Sequence, residues 1–118
     1  MDEETFKKRT KLLALAVIKM IENMPRTISA DTIVRQLVRS SSSVGANYRA
    51  ACRAKSTADM INKMKIVEEE CDETVYWLEL IVEAGILPED RVKGIMKEAN
   101  EIVAMTVASL KTLRNRKS

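Results

Sequence analysis

Between Met60 and Ile81 the residues Met60, Met64, Val67, Cys71, Thr74, Leu78 and Ile81 recur at alternating steps of four and three. That rhythm leaves few choices. A strand repeats every two residues, whereas steps of four and three stack side chains in one column along an α-helix. Such a column is the seam by which one helix of a bundle buries itself against its neighbours. Two other stretches keep the same step. Phe6, Thr10, Leu13, Val17, Met20 and Met24 form one seam; Val92, Ile95, Ala99, Ile102, Thr106, Ser109 and Leu113 form another, flanked by Met96, Val103 and Leu110. Leu12, Leu15 and Ile18 fall outside the first seam, so that helix either sits deep or meets another subunit.

A further helix is concealed in the Ser-rich stretch Gln36 to Asn47. Its serines, Ser40 to Ser43, and Gly45 suggest a loop when read alone. At helical spacing the residues sort into faces. Leu37, Ser41, Val44 and Tyr48 share one side, Gln36, Ser40, Ser43 and Asn47 make a polar ridge beside it, and Arg35, Arg39, Arg49 and Arg53 point the opposite way. Gly45 costs about 1 kcal/mol relative to Ala inside a helix, so tertiary packing must hold this segment. Ser41, Gly45 and Ala46 are small enough to let a neighbouring helix approach closely.

Three Gly and two Pro in 118 residues leave room for only a few short connections. Helices are expected at about 3–24, 29–54, 57–84 and 88–113. Pro25 ends the first, Ser29 or Thr27 caps the second, and Ser56-Thr57-Ala58-Asp59 opens the third as a capping box. Gly85 closes the third, and Pro88, Glu89 and Asp90 begin the fourth. Short connections make neighbours antiparallel. The expected fold is all-α, a single antiparallel up-down-up-down four-helix bundle over residues 1–118, ending in a basic tail at 111–118.

The chain has no histidine, which removes His-based triads, HExxH zinc sites and Glu-x-x-His di-iron sites together. Cys52 and Cys71 fall on apolar helix faces and are expected to be reduced core residues in the cytoplasm. The start, KKRTKLLALAVIKM, has the basic-then-apolar order of a leader. Asp2, Glu3 and Glu4 precede it, Lys19 interrupts it, and no small-residue cleavage site comes before Met24-Pro25. The run is also shorter than the ~20 residues of a membrane span. A soluble cytoplasmic protein with no membrane contact is expected.

Charge is unevenly divided. Asp31 to Lys55 carries five basic residues and one acidic, net +4, while Ser56 to Gly85 carries two basic and eight acidic, net −6. Helices two and three should therefore attract each other, within one subunit or across an interface. Ile66, Trp77 and Leu80, with Tyr76 close by, lie far from the helix-three seam. This second apolar strip implies a contact beyond the monomer.

The pattern Gln36-Leu37-x-Arg39-Ser40-x-x-Ser43-x-x-x-Asn47, with Pro25 ahead and Ser56-x-x-Asp59 opening the next helix, resembles a family. Glu70-x-x-Glu73 followed by Trp77-Leu78 continues the likeness, which covers most of the chain. The family is the small four-helix-bundle proteins encoded in intervening sequences of 23S ribosomal RNA genes. The sequence departs from it after Asn47, where Tyr48-Arg49-Ala50-Ala51 stands in place of Ile-Ala-Glu-Gly. The resemblance implies an up-and-down bundle assembled as a homo-oligomer, a ring of five. The similar accessory protein of diversity-generating retroelements uses a basic surface for nucleic acid and a reverse transcriptase partner.

Three functions follow from these features. The first is a non-enzymatic oligomeric adaptor for RNA, less readily DNA, or for a protein partner. It would use Arg35, Arg39, Arg49 and Arg53, with Lys111, Arg114, Arg116 and Lys117 of the tail, and Ile66, Tyr76, Trp77 and Leu80 as oligomer interface. Aromatics are only 3% of the chain, which weighs against a binder that stacks bases on rings. The second is a structural homo-oligomer without nucleic acid, in which Gln36, Ser40, Ser43 and Asn47 form a polar layer specifying register, partnered by Glu70 or Lys63. The third is a Mg-dependent all-helical nucleotide pyrophosphatase, with Glu69, Glu70, Asp72, Glu73, Glu98 and Glu101 as oxygen ligands. Glu69 and Glu73 point away from the seam, and Glu98 with Glu101 has no partner at matching depth. The protein is accordingly expected not to be an enzyme and to need no cofactor or metal.

Overall fold

Asp2, Thr27 and Ser56 set three of the helix starts, each by accepting a backbone N–H that the first turn leaves without a partner. The computed structural model describes residues 2–116 in full and the backbone of residue 117; Met1 and Ser118 lie outside the described residues. Asp2 Oδ1 accepts from Thr5 N–H at 2.7 Å and opens α1, Glu3–Met20. Thr27 Oγ1 accepts from Ala30 N–H at 3.1 Å and opens α2, Ile28–Cys52. Ser56 Oγ accepts from Asp59 N–H at 3.1 Å, and Asp59 Oδ2 accepts in return from Lys55 N–H at 3.1 Å. The Ser56 cap opens α3, Thr57–Glu83, as its spacing foretold, while the return bond of Asp59 goes to Lys55, one residue before the cap. Gly85, at φ 71°, closes α3, with Ile86 N–H donating back to Ile81 O at 3.0 Å. The last helix, α4, is Lys93–Lys117.

The end of α1 and the start of α4 differ from expectation for reasons local to proline. α1 stops at Met20 instead of residue 24, and Ile21–Asn23 tightens into a 3₁₀ turn. Pro25 pushes its predecessor out of helical geometry, and Met24 is extended at φ −71°, ψ 143°. At the other end of the chain Pro88 is also extended, at φ −70°, ψ 151°, and precedes a separate 3₁₀ turn, Glu89–Arg91. α4 therefore begins only after Val92. With no Gly or Pro beyond Gly94, it continues through residues 111–117, so the expected basic tail is the final turns of a helix.

The four helices form an up-down-up-down bundle of 48 × 22 × 21 Å, in which consecutive helices pack together and α1 closes on α4. α1 and α3 are the diagonal pair. All six residues of the first seam are buried. In α3 Ile61 is buried where Met60 was expected, and in α4 Leu110 is buried where Ser109 was. A cleft of ≈ 580 Å³ explains both substitutions. It opens at that end of the bundle, and Met60 and Ser109 line it beside Phe6, Tyr48, Met64 and Met105. Phe6 and Tyr48 stack with ring centroids 4.1 Å apart. Cys52 and Cys71 are free thiols. Cys71 is buried and donates to Ala99 O at 3.3 Å; burial first, then the charges of Asp72 and Glu98, pushes its pKa up to about 12. No helix is long and apolar enough to cross a membrane.

Candidate nucleic-acid interface

No acidic residue occurs between Asp31 and Asp59, so the solvent side of α2 carries positive charge without internal neutralisation. Arg35, Arg49 and Arg53 are exposed on this helix, and no described carboxylate lies within ion-pair distance of them. Arg39 is a different case. Its Nη1 donates to Glu70 at 2.8 Å, its Nη2 to Glu73, and its Nε to Gln36 Oε1 at 3.2 Å. It therefore leans across to α3 and does not point the opposite way with the other three. The attraction expected between helices two and three is in this sense realised within one subunit.

The basic face deepens into a groove where α1 meets α2. A Cβ on Gly45 would stand 3.3 Å from Thr10 Oγ1, tighter than ordinary packing, so the glycine lets the helices approach. Thr10 is pinned in that position, its hydroxyl within 3.0 Å of both Phe6 O and Lys7 O. The result is a shallow groove of ≈ 210 Å³ with a floor of Thr10, Ala14, Ser42, Gly45 and Ala46, edged by Lys7, Lys11 and Arg49. Lys7 has only a long contact to Glu4, 3.9 Å, and remains available. Three cations over a floor of small side chains suit a phosphate backbone approached from outside, because phosphate contacts require charge and access and no particular base geometry. Lys7 and Lys11 were not anticipated. The small residues Gly45 and Ala46 foretold a close approach on the α2 side, but only packing decides which lysines of α1 border the groove.

Lys111, Arg114 and Arg116 are exposed on the last turns of α4, away from this groove; the side chain of Lys117 lies outside the described residues. The polar ridge also resolves differently from its expectation. Ser40 is buried, and its partner across the interface is the Thr74 hydroxyl, which donates to Ser40 Oγ at 2.9 Å. By helical spacing alone Thr74 is simply a seam residue. Asn47 Nδ2 donates to Ser43 O within its own helix at 2.8 Å, and Lys63 pairs with Asp59 at 2.7 Å. Glu70 serves Arg39. Neither Glu70 nor Lys63 partners the ridge, because long charged side chains at the edge of a seam reach outward to opposite charge before they reach a buried hydroxyl. On α3 Ile66 and Tyr76 are exposed, whereas Trp77 and Leu80 are half-buried. Trp77 packs against the core and is edge-on to Tyr76, with its indole N–H buried and without a hydrogen-bond partner among the described residues.

The six carboxylates considered as metal ligands do not converge. Glu70 and Glu73 are held by Arg39, and Glu69 and Asp72 are exposed. Glu98 and Glu101 do have a partner at matching depth, and it is a cation. Arg9 Nε donates to Glu98 at 2.9 Å, its Nη2 to Glu98 at 2.5 Å and to Glu101 at 2.8 Å, and its Nη1 lies 3.3 Å from Met105 Sδ. The Arg9 guanidinium lowers the Glu98 pKa below its ordinary 4.5. Among the described residues no group of His, Cys, Asp and Glu side chains is placed to hold a metal ion.

Comparison with known proteins agrees with this architecture. The family model for 23S rRNA-intervening sequence protein matches residues 3–108. A crystal structure from Bacteroides thetaiotaomicron, of a protein with unknown function from the S23 ribosomal protein family, superimposes with a TM-score of 0.84. The two sequences are 28% identical, and the match covers 94% of this chain and 99% of that one. Comparison with curated proteins gives no match.

Proposed function

The chain belongs to the 23S rRNA-intervening sequence protein family, and on that premise we propose that it is a non-enzymatic, homo-oligomeric cytoplasmic adaptor that binds RNA through the basic side of α1 and α2. The observation that carries this reading is the groove edged by Lys7, Lys11 and Arg49, which no acidic side chain lines, continued along α2 by Arg35 and Arg53. Contacts of this type are to phosphate and sugar, so binding is strongly salt-dependent and weakly sequence-selective. The copies form a ring of five, as the resemblance to the family implies, which repeats the groove and raises avidity for a long strand. The engagement of Glu98, Glu101, Glu70 and Glu73 by Arg9 and Arg39 supports a non-enzymatic reading.

Labelled single-stranded RNA titrated against the protein at several salt concentrations tests the reading. The expected result is affinity falling as salt rises, with a slope of about 0.7 per phosphate neutralised. Lys7→Glu with Arg49→Glu should weaken binding at least about tenfold, the loss of two phosphate contacts. Arg39→Ala should leave affinity nearly unchanged. RNA indifference at low salt, or equal loss from Arg39→Ala and the groove variant, would overturn the proposal.

A further inference from the structure

The chain has one Phe, two Tyr and one Trp, and none of them lines the groove of Lys7, Lys11 and Arg49. Phe6 and Tyr48 are buried and stacked on each other. Trp77 is half-buried on α3, and Tyr76, an exposed ring, has Asp72, Glu73 and Glu79 within one turn of it. A single strand binds by laying successive bases on aromatic side chains as well as by charge. Here its bases would gain nothing, and the exposed ring stands among carboxylates that repel its phosphates. A double helix has already stacked its bases and presents phosphates and sugar hydroxyls, the groups that this basic side is able to meet.

The cations of α2 also lie in a straight row. Arg35, Ser42, Ala46, Arg49 and Arg53 follow one another at steps of seven, four, three and four, the spacing of one helix face, and each is exposed. Arg39 falls on the same row and is drawn off it to Glu70 and Glu73. The row that remains has cations at both ends, Arg35 about 21 Å from Arg49 along the helix axis, with short side chains between them. Lys7 and Lys11 of α1 stand beside Arg49 across the groove. Ser40 and Ser41 direct their hydroxyls to carbonyls of their own helix, Leu37 O and Val38 O, whereas Ser42 lies open in the groove floor. A rigid rod settles on such a saddle. The A-form minor groove suits it because it is wide, shallow and lined by 2′-hydroxyls, which a serine hydroxyl can meet as donor or acceptor.

We infer, on the reading that the basic side of α1 and α2 binds RNA, that the form it takes is double-helical, with the minor groove over Ser42 and Ala46, phosphates of one strand at Lys7, Lys11 and Arg49, and those of the other at Arg35. B-form DNA carries the same charge, but its minor groove is narrow and has no 2′-hydroxyl. It therefore forfeits the contact at Ser42 and the close approach over Ala46.

Fluorescence anisotropy at one salt concentration tests this with three labelled probes: a blunt RNA duplex, one of its strands alone, and a DNA duplex of the same sequence. The RNA duplex should bind at least about tenfold more tightly than either of the others. Ala46→Leu, at an exposed position in mid-helix, should keep wild-type helical content and lower duplex affinity by more than single-strand affinity, because a bulky side chain raises the groove floor while the cations stay. Ser42→Ala should narrow the margin between the RNA and DNA duplexes. A single strand bound as tightly as the RNA duplex, the two duplexes bound alike, or equal loss of both RNA probes from Ala46→Leu would overturn the inference and leave RNA binding standing. Indifference to both forms of RNA at low salt would overturn the RNA reading itself, and the inference with it.

Discussion

Where α2 meets α3, a buried hydrogen bond joins Thr74 to Ser40, Arg39 bridges to Glu70 and Glu73, and the helices stay in contact along their length. Where α1 meets α4, contact is sparse. A groove of ≈ 360 Å³ lined by Leu12, Ala16, Gly94 and Ile95 opens on one side of Arg9, and the ≈ 580 Å³ cleft opens on the other. Arg9 reaches Glu98 and Glu101 between them. One interface is held by close packing with a polar specification inside it, the other by an ionic clasp over two openings. The difference teaches that closing the bundle and stabilising it are separate tasks. It also places α1 at the less tightly held edge, the element that borders the basic groove and leaves Leu12, Leu15 and Ile18 exposed.

The comparison breaks most sharply at Leu37, which is fully buried on α2. Leu37→Ala should cost about 2–5 kcal/mol in chemical denaturation, because a leucine-sized void in a close-packed interface collapses only partly. A loss below about 1 kcal/mol would mean that the core around Leu37 is not closely packed. A smaller effect is expected at the buried hydroxyl pair. Thr74→Val keeps the shape and removes the cross-helix donor, at about 1–3 kcal/mol. The double variant Ser40→Ala with Thr74→Val should cost less than the sum of its single changes if the two hydroxyls act as a pair.

The smallest effect belongs to the clasp. Glu98→Gln should cost about 1 kcal/mol at neutral pH, because the Arg9 pair is partly solvated. The sign of its pH dependence follows from the lowered pKa of Glu98. In the unfolded chain Glu98 titrates near its ordinary 4.5, so the native carboxylate binds protons less readily than the unfolded one. Its contribution is complete above that value and is lost as pH falls through the lower native pKa. The stability gap between wild type and Glu98→Gln should therefore close under acid and stay level from neutral to mildly alkaline pH. A gap that instead widened on acidification would contradict the assigned pair.

Seams and caps were legible because they depend on neighbours in sequence. The column Phe6 to Met24 needed only helical spacing, and the Ser56–Asp59 box needed only four consecutive residues. The Ser-rich segment was readable as a helix because its faces sorted, even though its composition argued for a loop. Arg9 was not legible. It sits beside Thr10 in the first seam, and nothing within α1 indicates that Glu98 and Glu101, some ninety residues away, arrive at the same height. The same holds for Arg39, which its own helix places among the outward arginines and which a neighbouring helix draws inward.

By itself, then, the sequence determined that this chain is helical, where three of its four helices begin, and most of the column that each buries, since hydrophobic period and capping chemistry act over a few residues. Tertiary structure alone decided which charges are neutralised and which stay open. Electrostatic partners are chosen by distance in space, and helices brought side by side bind Arg39 and Arg9 to carboxylates while leaving Lys7, Lys11 and Arg49 along a groove.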